Sequence, residues 1–203
     1  MKLVPESSHF QDYLEELNVV NFSHPLIQQA VCELFHQGMP EMEKAKTAYE
    51  FVRDRIAHSW DIQSSRITCK ASEVLYYREG ICYAKANLLA ALLRSQKIAT
   101  DFCYYQRLRL FNSSDQGYCI HALNAVFLRA INRWIHLDAR GNKQGIHAEF
   151  SLDQERLAFS VQPQWDEQDL PVIYTKPNPK TIATLRENTN ALVMYQCHLP
   201  ENL

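Results

Sequence analysis

Three side chains of this 203-residue sequence are of types that can move an acyl group, and they occur in the order Cys82, His121, Asp138. Cys82 follows Gly80-Ile81 and opens the apolar run LLAALL of the segment REGICYAKANLLAALLRSQKI. A thiol at the first turn of a helix meets unpaired N–H groups and the positive end of the helix dipole. Both favour the thiolate and lower the thiol pKa. The same amides can donate to an oxyanion. His121 lies in YCIHALNAVFL and Asp138 near the end of RWIHLDA, two segments of period two. Alternation places His121, Leu123, Ala125 and Phe127 on one face, and Trp134, His136 and Asp138 on one face of the next strand. With Phe127 opposite Asn132, His121 falls opposite Asp138 on the same side of the sheet. A carboxylate that accepts from one imidazole nitrogen fixes the tautomer and leaves the other nitrogen for a thiol. Such a set performs acyl transfer through a thioester.

The elements that must position these groups are readable. His24 to Gln37 can form a short helix. Pro40, at a first-turn position, opens a second one, in which Met42, Ala45, Tyr49, Val52 and Ile56 recur on one face. Ala71 to Arg78 is a further short helix, broken by Gly80. Cys82 to Gln96 follows, with Cys82, Ala86, Leu89, Ala90 and Leu93 on one face and Leu88, Ala91 and Leu92 making much of the rest apolar. That helix is predicted to be central. Beyond Ile98 the segments ATDFCYYQRLRL, YCIHALNAVFL and RWIHLDA read as strands of an antiparallel meander, joined by FNSSDQG and by RAIN. LPVIYT reads as another strand, and Asn178-Pro179 as the cap and first turn of a helix to about Asn188. The expectation is one α+β domain over residues 1–203, helices first and then a sheet packed on the central helix.

Composition narrows the function classes. Hydrophobic residues make up 46% and charged residues 22%, with a formal charge of −2, so no basic surface for nucleic acid is indicated. No apolar run reaches the ~18 residues of a membrane span. The opening MKLVPESSHFQDYLEE lacks the apolar core of a signal peptide, so the expected compartment is the reducing cytoplasm. The six cysteines (32, 69, 82, 103, 119 and 197) have irregular spacing and no C-x-x-C pair, which favours free thiols over disulfides. Cys32, Cys103 and Cys197 sit among apolar neighbours and read as structural. Cys69 reads as near the surface, His58 and His147 as solvated or locally bonded, and Tyr76 and Tyr77 as packing residues.

Taken together, ASEVLYYREGICYAKANLLAALLRSQKI, IHALNAVF and RWIHLDA resemble the transglutaminase-like superfamily, in the form of a bacterial-type transglutaminase-like domain. YEFVRDRIAHSWD is similar to the helix that precedes the cysteine in that family. The resemblance runs from about Ala45 to Asn142. It implies a papain-like fold, a cysteine-bearing helix packed on an antiparallel sheet that carries His and Asp. Residue by residue, it makes Cys82 the nucleophile, His121 the general base and acid, and Asp138 the residue that orients the histidine. Many members have Trp two residues after the His and an acidic residue two further on; here those places hold Leu123 and Ala125. Trp60 and Gln63 are candidates for a second oxyanion donor.

The reading is a cysteine-nucleophile enzyme acting on a peptide, protein or small-molecule acyl donor. Water as acceptor makes it a protease or amidase, and an amine makes it a transamidase. The mechanism calls for no metal or organic cofactor, and no nucleic acid or membrane partner is expected. Arylamine N-acetyltransferases use a similar triad, so a small-molecule acyltransferase is the nearest rival. A different class stays open: Cys119, His121, His136 and Asp138 alternate on two neighbouring strands as a zinc set could, and the protein would then be a binding protein.

Overall fold

The computed structural model describes residues 3–108 and 117–203, with the side chain of Leu108 left out. FNSSDQG lies outside the described residues except for Gly117. In chain order the elements are β1 (Val4–Pro5), α1 (Pro25–Leu34), α2 (Glu41–Arg55), β2 (Ala57–His58), α3 (Ala71–Tyr77), β3 (Glu79–Gly80) and α4 (Cys82–Ser95). Then come β4 (Phe102–Leu108), β5 (Tyr118–Leu128), β6 (Arg133–Leu137), β7 (Gln168–Tyr174), α5 (Pro179–Glu187) and α6 (Ala191–Cys197). The fold is α+β, as the sequence implies.

Every residue of α4 from Cys82 to Arg94 is buried. The apolar ones join a core that takes in Ala45, Tyr49 and Val52 of α2, Val74 and Leu75 of α3, and Ile120, Ala122, Val126 and Leu128 of β5. A helix apolar on all sides must be enclosed on all sides. Its two buried cations serve loop carbonyls. Lys85 Nζ donates to the carbonyls of Ile56 at 2.5 Å and Arg140 at 2.9 Å. Arg94 donates to those of Thr100, Glu15 and Thr175, each at 2.8 Å. Connections that carry no ladder of their own thus find donors inside the core.

The strands stand in the order β1-β7-β4-β5-β6. The expected meander is β4-β5-β6, and β7 adds an antiparallel strand on the far side of β4. The hairpin register differs from the expected one. Phe127 faces Trp134, not Asn132. Arg129–Ile131 wind into one 3-10 turn and Asn132 takes φ 48°, so the connection holds more residues than a tight turn. The displacement is two residues. Because side chains alternate with period two, an even displacement leaves every residue on its predicted face. Among the described residues no helix is long and apolar enough to cross a membrane.

Candidate active site

The site begins at the start of α4. β2 and β3 pair in parallel, His58 beside Gly80, and bring the chain to Ile81 in an extended conformation. The role of Gly80 is close approach. A Cβ there would lie 2.9 Å from Thr68 Oγ1 and 3.1 Å from the Cβ of Ala84. The first bond of the helix runs from the Lys85 N–H to the Ile81 carbonyl, so the amides of Cys82, Tyr83 and Ala84 precede the ladder. No side chain of Ile81 caps them. Cys82 keeps 7% of its surface exposed, in a narrow crevice shared with Lys85, Asn124 and Arg140. The Tyr83 hydroxyl donates to the Ile120 carbonyl at 2.8 Å and ties this helix start to the strand that bears the histidine.

His121 Nε2 lies 3.0 Å from Asp138 Oδ2. A carboxylate only accepts, so Nε2 carries the proton and Nδ1 is the nitrogen left for another partner; the Cys82 thiol is near enough to favour the charged ring. The pair meets obliquely. Asp138 follows the last paired residue of β6, Leu137, which faces Asn124, so the carboxylate reaches across to His121 from the level of Leu123. Asp138 is 1% exposed and is held by two further donors: the Arg140 N–H to Oδ1 at 3.1 Å and the Ala158 N–H to Oδ2 at 3.0 Å. Burial disfavours its charge, but His121 and these amides prevail and hold the carboxyl below its usual range. Burial likewise works against a charged His121; Asp138 and Cys82 outweigh it and push the ring up to about 9.

A shell of aromatic and cationic groups surrounds the pair. Tyr105, directly opposite His121 on β4, places its ring 4.9 Å from the imidazole, and Phe159 stands edge-on at 5.3 Å. Arg140 is clamped by both oxygens of Asp61 at 2.6 and 2.8 Å. Tyr195 of α6 stacks on Trp60 at 4.8 Å and meets His58 edge-on at 5.6 Å. Burial first, and the neighbouring Cys82 next, push the Tyr195 hydroxyl up to about 12. A cavity of about 700 Å³ lies elsewhere, beside Trp134, His136 and Glu155. It is lined by none of Cys82, His121 and Asp138.

The model of the transglutaminase-like superfamily core matches residues 29–139. The chain belongs to this superfamily. Cys82, His121 and Asp138 all fall within the matched span, whereas Arg140, Phe159 and Tyr195 fall outside it. A search of curated proteins finds no match. Among solved structures, a "Putative Cysteine Protease" from Cytophaga hutchinsonii superposes with a TM-score of 0.52 at 17% identity. The alignment covers 66% of this chain and 43% of that one, so this chain spans less than half the length of that protein. The likeness is one of fold, and it agrees with the papain-like arrangement of a cysteine helix on an antiparallel sheet.

Several expectations about single residues need correction. His58 is buried, not solvated, because β2 runs under Tyr195. Cys69 is buried, while Cys32 and Cys197 are exposed, so apolar neighbours in sequence did not report the outward faces of α1 and α6. Tyr76 and Tyr77 are exposed, packed edge to face on each other at 4.8 Å. Gln63 sits at φ 53° and spends its amide on the Trp60 carbonyl at 2.6 Å, which closes its own turn. His136 Nδ1 pairs with Glu155 Oε1 at 2.8 Å. Among the described residues no group of three or more His, Cys, Asp and Glu is arranged to hold a metal. Sequence reasoning missed Arg140, Tyr105, Phe159 and Tyr195. Only Arg140 carried a signal, its place two residues after Asp138.

Proposed function

We propose that the protein is a cysteine-nucleophile acyl-transfer enzyme in which Cys82 attacks an amide or ester carbonyl, His121 moves the proton and Asp138 orients His121. Membership of the transglutaminase-like superfamily supports a cysteine-based enzyme. The observation that carries the finer reading is the hydrogen bond from His121 Nε2 to a buried Asp138, which leaves Nδ1 for the thiol.

Cys82 Sγ bonds to the carbonyl carbon, and the carbonyl π electrons move to oxygen. The amides at the start of α4 donate to that oxyanion. His121 Nδ1 protonates the leaving amine or alcohol as its bond to carbon breaks, and a thioester remains. Water or an amine then attacks the thioester, His121 accepts its proton, and the Cys82 thiolate departs. Water gives hydrolysis, and an amine gives transamidation. A panel of peptide, ester and arylamide acyl donors, read by the mass added to Cys82, tests this reading. The expected result is an acyl adduct on Cys82 that disappears in Cys82→Ala and does not accumulate in His121→Ala. Turnover that persists in Cys82→Ala would overturn it.

A further inference from the structure

We propose that Arg107, stacked on Phe159 beside the Cys82–His121 pair, forms a subsite for a carboxylate of the acyl donor. The inference rests on the acyl-transfer reading above and adds a substrate class to it.

Arg107 and Tyr105 point to the same face of β4, and Tyr105 is the residue directly opposite His121. Two residues of strand put the guanidinium-bearing position about 7 Å from that rung. Its guanidinium carbon lies 3.6 Å from the centre of the Phe159 ring, the same ring that stands edge-on to His121. The planar cation is therefore held flat on one side, with its donors fixed in direction. The Tyr105 and Tyr195 hydroxyls each feel the charge of both Arg107 and Cys82.

Among the described residues no ion pair joins Arg107 to a carboxylate. Its buried Nε finds no hydrogen-bond acceptor among the described residues. The other site arginine, Arg140, has its charge matched by Asp61. Arg107 is half-buried and shares the Phe159 ring with His121. A guanidinium with a buried, unpartnered Nε–H matches a carboxylate in shape and charge. That carboxylate comes either from the free C-terminus of a short peptide or from an acidic side chain next to the scissile bond.

The test compares iodoacetate with iodoacetamide on the full chain at pH 7, with labelled cysteines located by peptide mass mapping. In both reactions the thiolate forms an S–C bond and iodide leaves, but only iodoacetate brings a carboxylate. The iodoacetate-to-iodoacetamide rate ratio at Cys82 should exceed that at exposed Cys32 of the same molecules by about tenfold, the scale of a charge-assisted hydrogen bond. In Arg107→Gln the ratio should fall towards the Cys32 value, and Arg107→Lys should keep part of it. His121 is present throughout, so the fall isolates Arg107. A wild-type ratio at Cys82 no higher than at Cys32, or one unchanged in Arg107→Gln, overturns the subsite and leaves the acyl-transfer reading standing. Cys82 inert to both reagents while Cys32 reacts overturns that reading and the subsite with it. Matched peptides then name the source. A preference for a free terminus over its amide points to the C-terminus, and one for glutamate over glutamine points to the side chain.

Discussion

Two histidine–carboxylate pairs sit on one face of the same hairpin, and they differ in what lies beyond the ring. His121 binds Asp138 at 3.0 Å, and His136 binds Glu155 at 2.8 Å. Asp138 is sealed in and held by two backbone amides, while the side chain of Glu155 is 46% exposed and half in water. The charge of His121 is favoured by the nearby Cys82 thiol, whereas His136 Nε2 is buried and has no partner among the described residues. On the proposed mechanism a carboxylate–imidazole contact alone is thus no mark of chemistry. On that mechanism the mark is a carboxylate that cannot relax into solvent, together with a far nitrogen left for a thiol.

The largest difference should appear in turnover. Asp138→Asn keeps the shape of the pair but presents the wrong tautomer to Cys82, and activity should drop by roughly 10³–10⁴. Glu155→Gln should stay within about threefold of wild type, since Glu155 touches no reacting atom. The check is turnover beside a melting curve. Equal losses in both variants would erase the distinction between the two pairs.

A smaller effect lies in the pH dependence of stability. The charge on His121, raised from the usual 6.5 to about 9, adds stability that is fully present below pH 6.5 and is lost as the pH rises through 9. The whole contribution is on the order of 3 kcal/mol. The wild-type melting temperature should therefore fall between pH 6.5 and 9. His121→Ala, less stable throughout, should show a flatter curve over that range.

Gly80 comes next. The modest course open to Ala at this position is for Thr68 and Ala84 to give way, at a cost of about 1–3 kcal/mol by melting. Gly80→Ala combined with Thr68→Ala should cost less than the sum of the two single changes, because the closest contact is Thr68 Oγ1. Additive losses would point to the backbone itself.

The parts legible in the sequence were those written in periodicity. α4 and β5 start where the pattern places them, and the faces of His121 and Asp138 survive a register displaced by two residues. Parity is the more robust quantity: turn length moves a register, and only an odd displacement exchanges faces. The shell of the site was not legible. Phe159 and Tyr195 reach it from loops and a seven-residue helix far along the chain. The two-residue strands that seat Gly80 are too short for any pattern.

The smallest expected effect is also the sharpest contrast. His136→Phe removes a buried nitrogen that has no partner and gives up one hydrogen bond to a carboxylate that water can solvate. The lost bond is worth about 1 kcal/mol or less for a half-exposed pair, and the relief of the unpaired nitrogen is of similar size and opposite sign. The net change in stability should lie within about 1 kcal/mol of zero, with turnover near wild type. The same replacement at His121 leaves Asp138 charged and buried with only backbone amides, which costs about 3 kcal/mol or more and removes activity. Chemical denaturation of the two variants decides it. A large loss in His136→Phe would mean that its Nε2 has a partner in solution, and the second pair would then be more than packing.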